Sequence, residues 1–531
     1  MEFDLAFELP RGDSPISAEA LTTLAERAFT RLSFTFTRTH LDHLVSIVTA
    51  PNSSDGDRLV ASYMLDNAII ASRGELPLCQ DTGTAQIFAW KDQGMVTEGD
   101  DMESLSSGAE RAWKKHCLRF STVVPSSFFE ESNPGTNMPA QIQLNSTSPN
   151  PGKAPAYRFL FCAKGGGSSN KTSLVQGTKA LLERDAFTSF LRKQISALGT
   201  AACPPYSLSV VAGGLSPEQN LLALKLATAG YFDGEIPGFD YRVMGTVPFR
   251  DPDLETEALA IAAASGLGAQ FGGRAMAVSA RVLRLPRHGA SCPVSVGVSC
   301  SAHRNLHAYI DSSGVWLERT VADPLSVPGL AEAAAWHERH GEPEARIDTS
   351  IGLEAVRAAL AGLRPGSPVL VSGQVLVARD AAHARWRALL REGKGLPPYL
   401  ADHVIMYAGP AETPPDMPIG SFGPTTAGRM DEYADELMSR GAALVTLAKG
   451  NRSEAWRSAC ATYGAVYLGS PGGIAALIAE RHITESRVID YPELGMEAVR
   501  LVTVRDMPAF VLINGRGEDF YATIQEACAC R

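Results

Sequence analysis

Apolar positions near the N-terminus repeat at helical spacing. They predict a helix over residues 17–29, with Ser17 as its N-cap, because apolar side chains recur on one face. The side chains of that face are Leu21, Leu24, Ala25 and Ala28. A second helix is predicted over residues 55–72 and ends at Gly74, since glycine favours helix termination.

Strand and helix patterns then alternate irregularly up to about residue 320. A stretch rich in Pro, Ser and Asn over residues 145–153 predicts a surface loop or hairpin. Strands are predicted over 157–163, 207–212, 278–285 and 294–300, and helices near 173–198 and 217–229. These elements indicate one large α/β or α+β domain over residues 1–321.

The pattern changes after residue 321. Residues 322–347 are rich in Pro, Ala, Glu and His without a strand pattern, and they are interpreted as a linker. The rest, residues 348–531, alternates strands and helices and predicts a separate, smaller α/β domain. Its predicted strands are 369–376, 442–447, 465–468, 501–504 and 509–513, and its predicted helices are 381–391, 454–462 and 474–480.

Composition is that of a soluble globular protein. The chain has 531 residues, 45% apolar and 20% charged, which corresponds to two to four domains. No apolar run is long enough to span a membrane. The N-terminus resembles neither a secretory signal nor a transit peptide, so we expect a cytoplasmic protein.

Charge and cysteine content exclude further classes. The net charge of −10 argues against nucleic acid or an anionic membrane as the main partner. Nine cysteines, an odd number, do not form a disulfide scaffold, and without a C-x-x-C motif neither a zinc ribbon nor a thioredoxin site is encoded locally. Any metal site must therefore combine cysteines that are distant in sequence.

Two loops concentrate polar groups. Leu78–Thr84 combines a thiol, an amide, a carboxylate and two hydroxyls around a glycine, which suits a functional loop, although a buried cysteine beside an Asx-turn is an alternative. Lys164–Thr172 contains three consecutive glycines and two lysines, which suits a small anion, with a flexible hairpin tip as the alternative. It departs from a P-loop because Asn170 occupies a required glycine position, so nucleotide binding is not favoured.

Three further segments in the first domain carry candidate chemistry. In Gly199–Tyr206 two prolines follow a cysteine, which suits either a rigid metal ligand or an ordinary turn. Residues 284–305 contain cations, imidazoles and two cysteines, Cys292 and Cys300, between which spacing does not decide. Gly266–Gly273 is close to a dinucleotide fingerprint, but its third glycine is one place late and no strand precedes it.

Cations recur in the second domain at positions suited to anions. In Gly423–Asp431 hydroxyls precede an arginine at a predicted helix start, and Arg379 and Lys449–Arg452 follow predicted strands. Ligands of open α/β folds lie beyond the carboxyl ends of strands. A substrate with two carboxylates would explain these cations, because arginine binds carboxylates in bidentate fashion.

Over nearly its whole length the sequence resembles the class I fumarases, the iron–sulphur fumarate hydratases. The segments that carry the resemblance occur in the family's order and are Cys79–Thr84, Lys164–Thr172, Thr200–Tyr206, Arg287–Cys300, Pro424–Asp431, Ala448–Ser453, Leu468–Gly473 and Tyr491–Glu497. The resemblance implies a large N-terminal domain that carries a cluster, a smaller swivelling β/β/α C-terminal domain, and a homodimer.

The resemblance also implies a cofactor and a site. A [4Fe-4S] cluster would be held by Cys79, Cys203 and Cys300, and its fourth iron, without a protein ligand, would act as a Lewis acid. The implied substrate-binding residues are Gln80, Arg119, Gly167, Arg379, Arg429 and Lys449. The implied catalytic residues are Asp81, Thr425 and His288. Because Thr425 and Arg429 belong to the second domain, we expect the site to lie between the domains.

The expected reaction is reversible hydration of fumarate to L-malate. Three departures from the family pattern concern the choice of substrate: His303 replaces an expected Asp, Ser207 an expected His and Ala378 an expected Gly. Mesaconate and tartrate are therefore alternative substrates. A non-catalytic anion- or nucleotide-binding protein that uses the Gly165–Thr172 segment is a hypothesis from a different class.

Overall fold

Two packed β-sheets form the framework of the first 318 residues. The computed structural model describes residues 1–9, 15–149, 152, 154–233 and 241–529. The helices and strands of this N-terminal unit are β1 (Phe3–Phe7), α1 (Ala18–Phe34), α2 (Arg38–Thr49), α3 (Asp55–Ala71), β2 (Thr84–Asp92), α4 (Asp101–Lys115), β3 (Val124–Pro125), β4 (Glu131–Ser132), β5 (Gln141–Thr147), β6 (Tyr157–Lys164), α5 (Gly166–Ser169), β7 (Ser173–Gly177), α6 (Arg184–Leu198), β8 (Tyr206–Gly214), α7 (Pro217–Thr228), β9 (Phe249–Arg250), α8 (Pro252–Ala264), β10 (Ala277–Arg287), β11 (Cys292–Ser299), β12 (Asn305–Asp311) and β13 (Gly314–Glu318).

The strand order of these sheets determines which loops meet. One sheet has six strands in the order β1-β13-β12-β6-β2-β5, and the other has five in the order β7-β11-β8-β10-β9. In the five-stranded sheet β8 and β10 are parallel, whereas β11 is antiparallel to β8. The loop before β8 and the loop after β11 therefore lie at the same end of the sheet's strands.

The first two predicted helices are confirmed. Helix α1 begins after Ser17, whose side chain accepts a hydrogen bond from the Ala20 N–H, and its buried face packs on α4. Helix α3 begins after Ser54 and ends three residues before Gly74, which has a positive φ of 82°. Local capping chemistry was sufficient to predict both helices.

A second β structure forms the C-terminal unit. Its elements, with the two helices that precede it, are α9 (Leu330–Ala334), α10 (Trp336–His340), β14 (Ala345–Asp348), α11 (Leu353–Leu360), β15 (Pro368–Val377), α12 (Asp380–Arg391), α13 (Tyr399–Asp402), β16 (Val404–Met406), α14 (Ala434–Met438), β17 (Val445–Ala448), α15 (Glu454–Tyr463), β18 (Val466–Gly469), α16 (Ala475–Leu477), β19 (Ile483–Asp490), β20 (Val499–Ile513) and α17 (Phe520–Ala529). The strand order is β14-β15-β16-β17-β18-β20-β19. Strands β15 and β20 also pair with each other, which closes five strands into a ring.

The α/β fold class with two domains is confirmed, but three predicted elements are not as expected. Residues 173–177 of the predicted 173–198 helix form strand β7, because this segment completes the sheet beside β11. The predicted linker contains helices α9 and α10, which pack on α3, and its end forms β14. The strands predicted at 501–504 and 509–513 are one strand, β20, which continues through Asp506 at a positive φ of 46°.

Some predicted features are not tested by the structure. The domain boundaries at residues 321 and 348 stay predictions, although β14 joins the C-terminal sheet from residue 345. Part of the loop predicted over 145–153, and the last two residues of the chain, lie outside the described residues. No helix of the described part of the chain is long and apolar enough to cross a membrane.

A buried arginine organises the core of the C-terminal unit. The side chain of Arg452 is fully buried, its guanidinium lies 3.1 Å from the ring centroid of Trp456, and it donates to the Ala427 carbonyl over 2.7 Å. Its Nε lies 3.1 Å from the carboxylate of Asp431. Burial of a charge is costly unless it is paired, so Asp431 and the aromatic ring compensate for the desolvation of this cation.

We expect Arg452→Met to lower the free energy of unfolding by about 3–5 kcal/mol, because it leaves the buried Asp431 carboxylate without its cation. Urea unfolding measures this. The matched control is Arg457→Met, which removes a partly exposed ion pair with Glu454 and should cost less than about 1 kcal/mol. Equal destabilisation by the two substitutions would contradict the prediction.

Candidate active site

Three cysteines lie where the two units meet. Cys79 precedes β2, Cys203 precedes β8 and Cys300 follows β11. Burial raises the pKa of Cys203 to about 11; Lys449 opposes the rise, and the thiolate charges of Cys300 and Cys79 add to it. The three thiols are therefore close enough for their charges to interact.

The sequence leaves open whether Cys292 or Cys300 is the metal ligand. The structure places these two cysteines at opposite ends of β11. Cys292 begins β11 opposite Gly177 and is fully buried in the core. At about 3.3 Å per residue it lies roughly 25 Å along the strand from Cys300. Of these two cysteines, Cys300 is the one at the end of the strands where Cys203 lies.

The Cys79 loop is held by contacts from both units. Its neighbour Gln80 is buried and donates to the Pro424 carbonyl over 3.1 Å. Gly83 has a positive φ of 82°, and a Cβ there would lie 2.7 Å from the backbone of Lys164, so only glycine fits this turn. The loop is therefore fixed against strand β6 on one side and the C-terminal unit on the other.

The Cys203 turn is in contact with the C-terminal unit. Cys203 has a positive φ of 61°, and Lys449 Nζ lies 2.7 Å from its sulfur. A Cβ on Gly472 would lie 2.3 Å from the same sulfur, so a glycine is required there. The Ser301 N–H donates to the Cys203 carbonyl over 3.0 Å and thereby joins the Cys203 and Cys300 turns directly.

These residues fit a multi-iron group better than a single ion. No three His, Cys, Asp or Glu side chains of the described residues are placed to hold one metal ion. The thiols of Cys79 and Cys203, which are buried, and of Cys300, which is half-buried, are the ligand type of iron–sulphur clusters. Arg304 is buried beside them, its charge lowers the pKa of Cys79 against the larger effect of burial, and its Nε and Nη1 find no partner among the described residues. An anionic group between these side chains would use the thiols as ligands and accept hydrogen bonds from the N–H groups of Arg304.

Asp81 and Arg119 form a buried ion pair next to the cysteines. Arg119 Nη2 lies 2.6 Å from Asp81 Oδ1, and the Gly166 N–H donates to Asp81 Oδ2 over 2.9 Å. Burial would raise the pKa of Asp81, but the charges of Arg119 and Arg304 and the Gly166 bond outweigh it and hold this pKa well below its usual range. Asp81 is therefore a carboxylate at neutral pH.

Arg379 brings a second guanidinium from the C-terminal unit. It follows β15 and is buried, and its Nη2 lies 2.8 Å from Glu497 Oε1. Burial lowers the pKa of Arg119, Asp81 opposes this, and the charge of Arg379 adds to the lowering, so the two guanidinium groups are close enough to interact. The Nε of Arg379 has no hydrogen-bond partner among the residues that the structure describes.

Thr425, Arg429 and Lys449 are held side by side. The Lys449 N–H donates to the Thr425 carbonyl over 3.1 Å, and the Arg429 guanidinium donates to Thr425 Oγ1. Arg429 also lies 3.1 Å from a carboxylate oxygen of Asp380. A donor aimed at a hydroxyl oxygen favours the anionic form of that oxygen. The Arg429 guanidinium is therefore placed to stabilise negative charge on Thr425 Oγ1.

The glycine-rich loop adjoins this site but does not form a P-loop. A Cβ on Gly165 would lie 2.7 Å from Asp81 Oδ2, whereas one on Gly167 would make ordinary contact with Ala202. Lys164 donates to the Val298 carbonyl, over 3.2 Å, and burial lowers its pKa to about 7. The side-chain amine of Lys164 is therefore bonded to a group in the protein interior.

The structure does not bring His288 to the other site residues of the same chain. His288 is exposed in the turn between β10 and β11. Cys300 follows the other end of β11, and an eight-residue strand is roughly 26 Å long. The remaining predicted site residues lie around the three cysteines, whereas His288 is separate from them.

Sequence reasoning missed Gln270 as a residue that holds the site together. Its buried amide donates to the carbonyls of Pro204 and Gly472, over 3.1 and 2.9 Å, and accepts from the Gly472 N–H over 2.7 Å. It thus joins the Cys203 turn to the C-terminal unit. The signal was the segment Gly266–Gly273, whose glycines allow close approach to Asp57 instead of to a dinucleotide.

We expect Gln270→Ala to destabilise the protein by about 1–3 kcal/mol for each buried group left unpaired, and to lower the iron content after reconstitution. The physical reason is the loss of the bonds that fix Pro204 and Gly472 beside Cys203. Urea unfolding and iron analysis measure the two effects. Gln86→Ala, at a buried glutamine bonded to Lys225, is the matched control, and an equal effect of both substitutions would refute the role of Gln270.

Comparison with known proteins agrees with this arrangement. The family profile described as "Fumarate hydratase (Fumerase)" matches residues 22–309, and "Fumarase C-terminus" matches residues 316–524. The chain is 45% identical to the anaerobic class I fumarate hydratase of Escherichia coli K12 over 97% of this chain and 92% of that protein. It is 44% identical to the aerobic class I enzyme of the same strain, over 96% and 91%, and 43% identical to fumarate hydratase 2 of Leishmania major, over 96% and 87%. The chain belongs to the class I fumarate hydratase family and is a hydro-lyase.

Proposed function

We propose that this hydro-lyase catalyses the reversible hydration of fumarate to L-malate with a [4Fe-4S] cluster held by Cys79, Cys203 and Cys300. The observation that carries the proposal is the set of cations around these three thiols. Two of these cations, Arg304 and Arg379, have N–H groups without partners among the described residues. Buried guanidinium N–H groups without a partner indicate an anionic ligand.

The cations suit a dicarboxylate. The charges of Arg119 and Arg379 interact, and a guanidinium binds a carboxylate through two parallel hydrogen bonds. When malate loses its C3 proton, negative charge builds on the adjacent carboxylate. Positive groups that are fixed before the reaction stabilise that charge without reorganisation. Arg119, Arg379 and Arg304 are fixed in this way by burial.

Asp81 and Thr425 handle the proton. Asp81 is ionised because Arg119 and Arg304 lower its pKa against the effect of burial, so its carboxylate oxygens can accept a proton. Thr425 Oγ1 accepts a hydrogen bond from Arg429, which stabilises the oxygen when it loses its own proton. One of these oxygens holds the proton that leaves C3 and returns it in the reverse direction.

The remaining groups hold the cluster and close the site. Lys449 balances the charge of the Cys203 thiolate, since its ammonium lies 2.7 Å from the sulfur. Gln80 and Gly167 belong to the loops that adjoin Asp81. When bound, the cluster supplies a Lewis acid at the iron without a protein ligand.

Fumarate is favoured over mesaconate and tartrate because two of the three departures, Ser207 and His303, face a different cavity. Ser207 and His303 line a separate cavity of about 180 Å³ behind the Cys300 turn. There His303 stacks on His40, with ring centroids 5.5 Å apart. The third departure, Ala378, precedes Arg379, and His303 precedes Arg304 in the chain.

The test is an anaerobic assay of the reconstituted enzyme. Loss of fumarate absorbance should follow mixing, and mesaconate and tartrate are assayed in parallel under the same conditions. Turnover of mesaconate or tartrate without turnover of fumarate would reject the substrate but keep the family. Tight binding of ATP by metal-free protein would instead favour the nucleotide-binding hypothesis.

We further propose that the enzyme works as a cytoplasmic homodimer whose C-terminal domain swivels over the cluster domain. The two units share many contacts, among them the hydrogen bonds that Gln270, Gln80 and Asn67 make to the C-terminal unit. Swivelling therefore requires these contacts to break and re-form.

A further inference from the structure

One segment of the C-terminal unit packs on two of the three cysteine turns. It comprises residues 472–477, and we call it the clasp. A Cβ on Gly472 would clash with the Cys203 sulfur. A Cβ on Gly473 would lie 2.5 Å from the hydroxyl oxygen of Ser301, in the turn that follows β11. The backbone of the clasp therefore lies directly on both turns, with no room for a side chain at either glycine.

Asn67 bonds the same clasp to the third cysteine loop. This asparagine is buried on α3, and its amide donates to the Leu78 carbonyl over 3.0 Å. Its Oδ1 accepts hydrogen bonds from the N–H groups of Ala476 and Leu477, over 2.8 and 3.0 Å. Amides in the first turn of a helix lack partners within the helix, so Asn67 caps α16 from the other unit. Because Leu78 precedes Cys79, one side chain spans from the clasp to the backbone of that cysteine.

A neighbouring ion pair keeps α3 in register with the C-terminal unit. Asp66 is buried, and its two carboxylate oxygens lie 2.8 and 2.7 Å from the two terminal nitrogens of Arg481. His337 Nε2 lies 3.2 Å from the same carboxylate. A two-pronged pair of guanidinium and carboxylate is strongly directional. It therefore holds the adjacent Asn67 at a fixed position relative to the clasp.

A second bond from the C-terminal unit reaches the loop of Cys79. The buried Ser421 hydroxyl donates to the Pro77 carbonyl over 2.5 Å. The carbonyls of Pro77 and Leu78 belong to the two peptide groups directly before Cys79. Each of these carbonyls thus accepts a hydrogen bond from a side chain that either belongs to the C-terminal unit or is bonded to it.

We propose that Asn67 is a positioning residue that couples the seating of the C-terminal unit to the orientation of the Cys79 thiol. Asn67 contacts backbone groups on both sides and acts through them. Hydrogen bonds of this kind, one step removed from a metal, orient the ligand and typically alter metal affinity by about 10–100-fold. The effect on the cluster rests on the proposed function, whereas the coupling between Asn67 and the Cys79 loop does not.

The geometry of the three cysteines is then complete only while the clasp is seated. In that arrangement Gly472 and Gly473 pack on two of the turns, and Asn67 orients the third. Displacement of the C-terminal unit releases all three loops together, so the cluster is held firmly in the closed arrangement and weakly in the open one. By linkage, a bound cluster favours the seated clasp to the same extent.

The coupling is tested by alkylation of the full-length, metal-free protein with iodoacetamide, quantified at each cysteine by peptide mass. We expect Asn67→Ala to speed the modification of Cys79 about ten-fold relative to Cys292, since ten-fold corresponds to about 1.4 kcal/mol, the weight of one buried hydrogen bond. Cys292 is buried at the other end of β11 and reports general opening of the fold. Equal acceleration at both cysteines would reduce Asn67 to a structural residue and overturn the inference.

Asn220→Ala is the matched control. Asn220 is fully buried on α7, and its amide donates to the carbonyls of Val211 and Gly213 over 3.0 and 2.6 Å. These partners lie toward the end of β8 that is remote from Cys203. Both variants should unfold at a lower urea concentration than the wild type, but Asn220→Ala should keep the wild-type ratio of alkylation rates. An equal rise of that ratio in the control would contradict the proposal.

A milder variant covers the case in which Asn67→Ala does not fold. Ser421→Ala removes only the bond to the Pro77 carbonyl. It should raise the rate of Cys79 alkylation relative to Cys292 in the same direction. An unchanged ratio in this variant would overturn the coupling between the C-terminal unit and the Cys79 loop.

The effect on the cluster is measured as the rate at which the reconstituted protein loses its visible absorbance to an iron chelator without oxygen. Asn67→Ala should lose the cluster about 10–100-fold faster than the wild type, and Asn220→Ala at the wild-type rate. Equal rates for Asn67→Ala and the wild type would overturn the inference. A wild type that takes up no cluster would instead refute the proposed function and leave the alkylation result valid.

Discussion

Replacing Cys79, Cys203 or Cys300 by serine, one at a time, is expected to abolish the visible chromophore of the reconstituted protein and its fumarate turnover. Thiolates are the ligands of iron–sulphur clusters, and a neutral hydroxyl is a poor substitute. With only three protein ligands none is dispensable. The visible spectrum and the iron and sulfide content after anaerobic reconstitution measure the effect.

Cys292→Ser is the matched control, because Cys292 is equally buried but lies at the other end of β11, opposite Gly177. We expect this variant to keep both its chromophore and its activity. Loss of the chromophore in Cys292→Ser together with its retention in Cys300→Ser would show that the proposed ligand set is wrong.

Asp81→Asn is expected to lower kcat for fumarate by about 10²–10⁴-fold, the usual contribution of a positioned acid or base. Asparagine keeps the shape of the side chain but accepts a proton poorly, and it no longer balances the charge of Arg119 at 2.6 Å. The rate is measured together with the iron content, because Asp81 lies two residues from a proposed cluster ligand.

Asp92→Asn provides the comparison for this variant. Asp92 is a buried carboxylate 3.1 Å from Arg158 at the far end of β2, so its substitution removes a similar ion pair without touching the site. Its kcat should stay at the wild-type value. If Asp81→Asn lost iron in proportion to its activity, Asp81 would be a structural residue and its proposed role in proton transfer would be refuted.

What the sequence predicted correctly depended on local chemistry. The N-caps of α1 and α3 and the glycine that follows α3 are decided within a few residues. The family resemblance indicated the loops that surround the three cysteines. The helix predicted over 173–198 was wrong in its first part because β7 is stabilised by pairing with β11, more than 100 residues away in sequence.

The parts of the site that could not be predicted depend on contacts between distant segments. The unpartnered N–H groups of Arg304 become visible only when the side chains around it are placed. Gln270 lies in a glycine-rich segment whose pattern suggests a nucleotide site, and its partners come from both units. The distance of His288 from the thiols follows from strand direction, which residue spacing does not reveal.

The closed ring of β15, β16, β17, β18 and β20 also bears on aggregation. Closure leaves only β14 and β19 as edge strands of this sheet. Both carry exposed charged side chains, Arg346 and Asp348 on β14 and Glu485 and Arg487 on β19. Charges on a sheet edge discourage pairing with another chain. A C-terminal unit released by proteolysis is therefore protected from the strand-to-strand polymerisation that begins at bare edges.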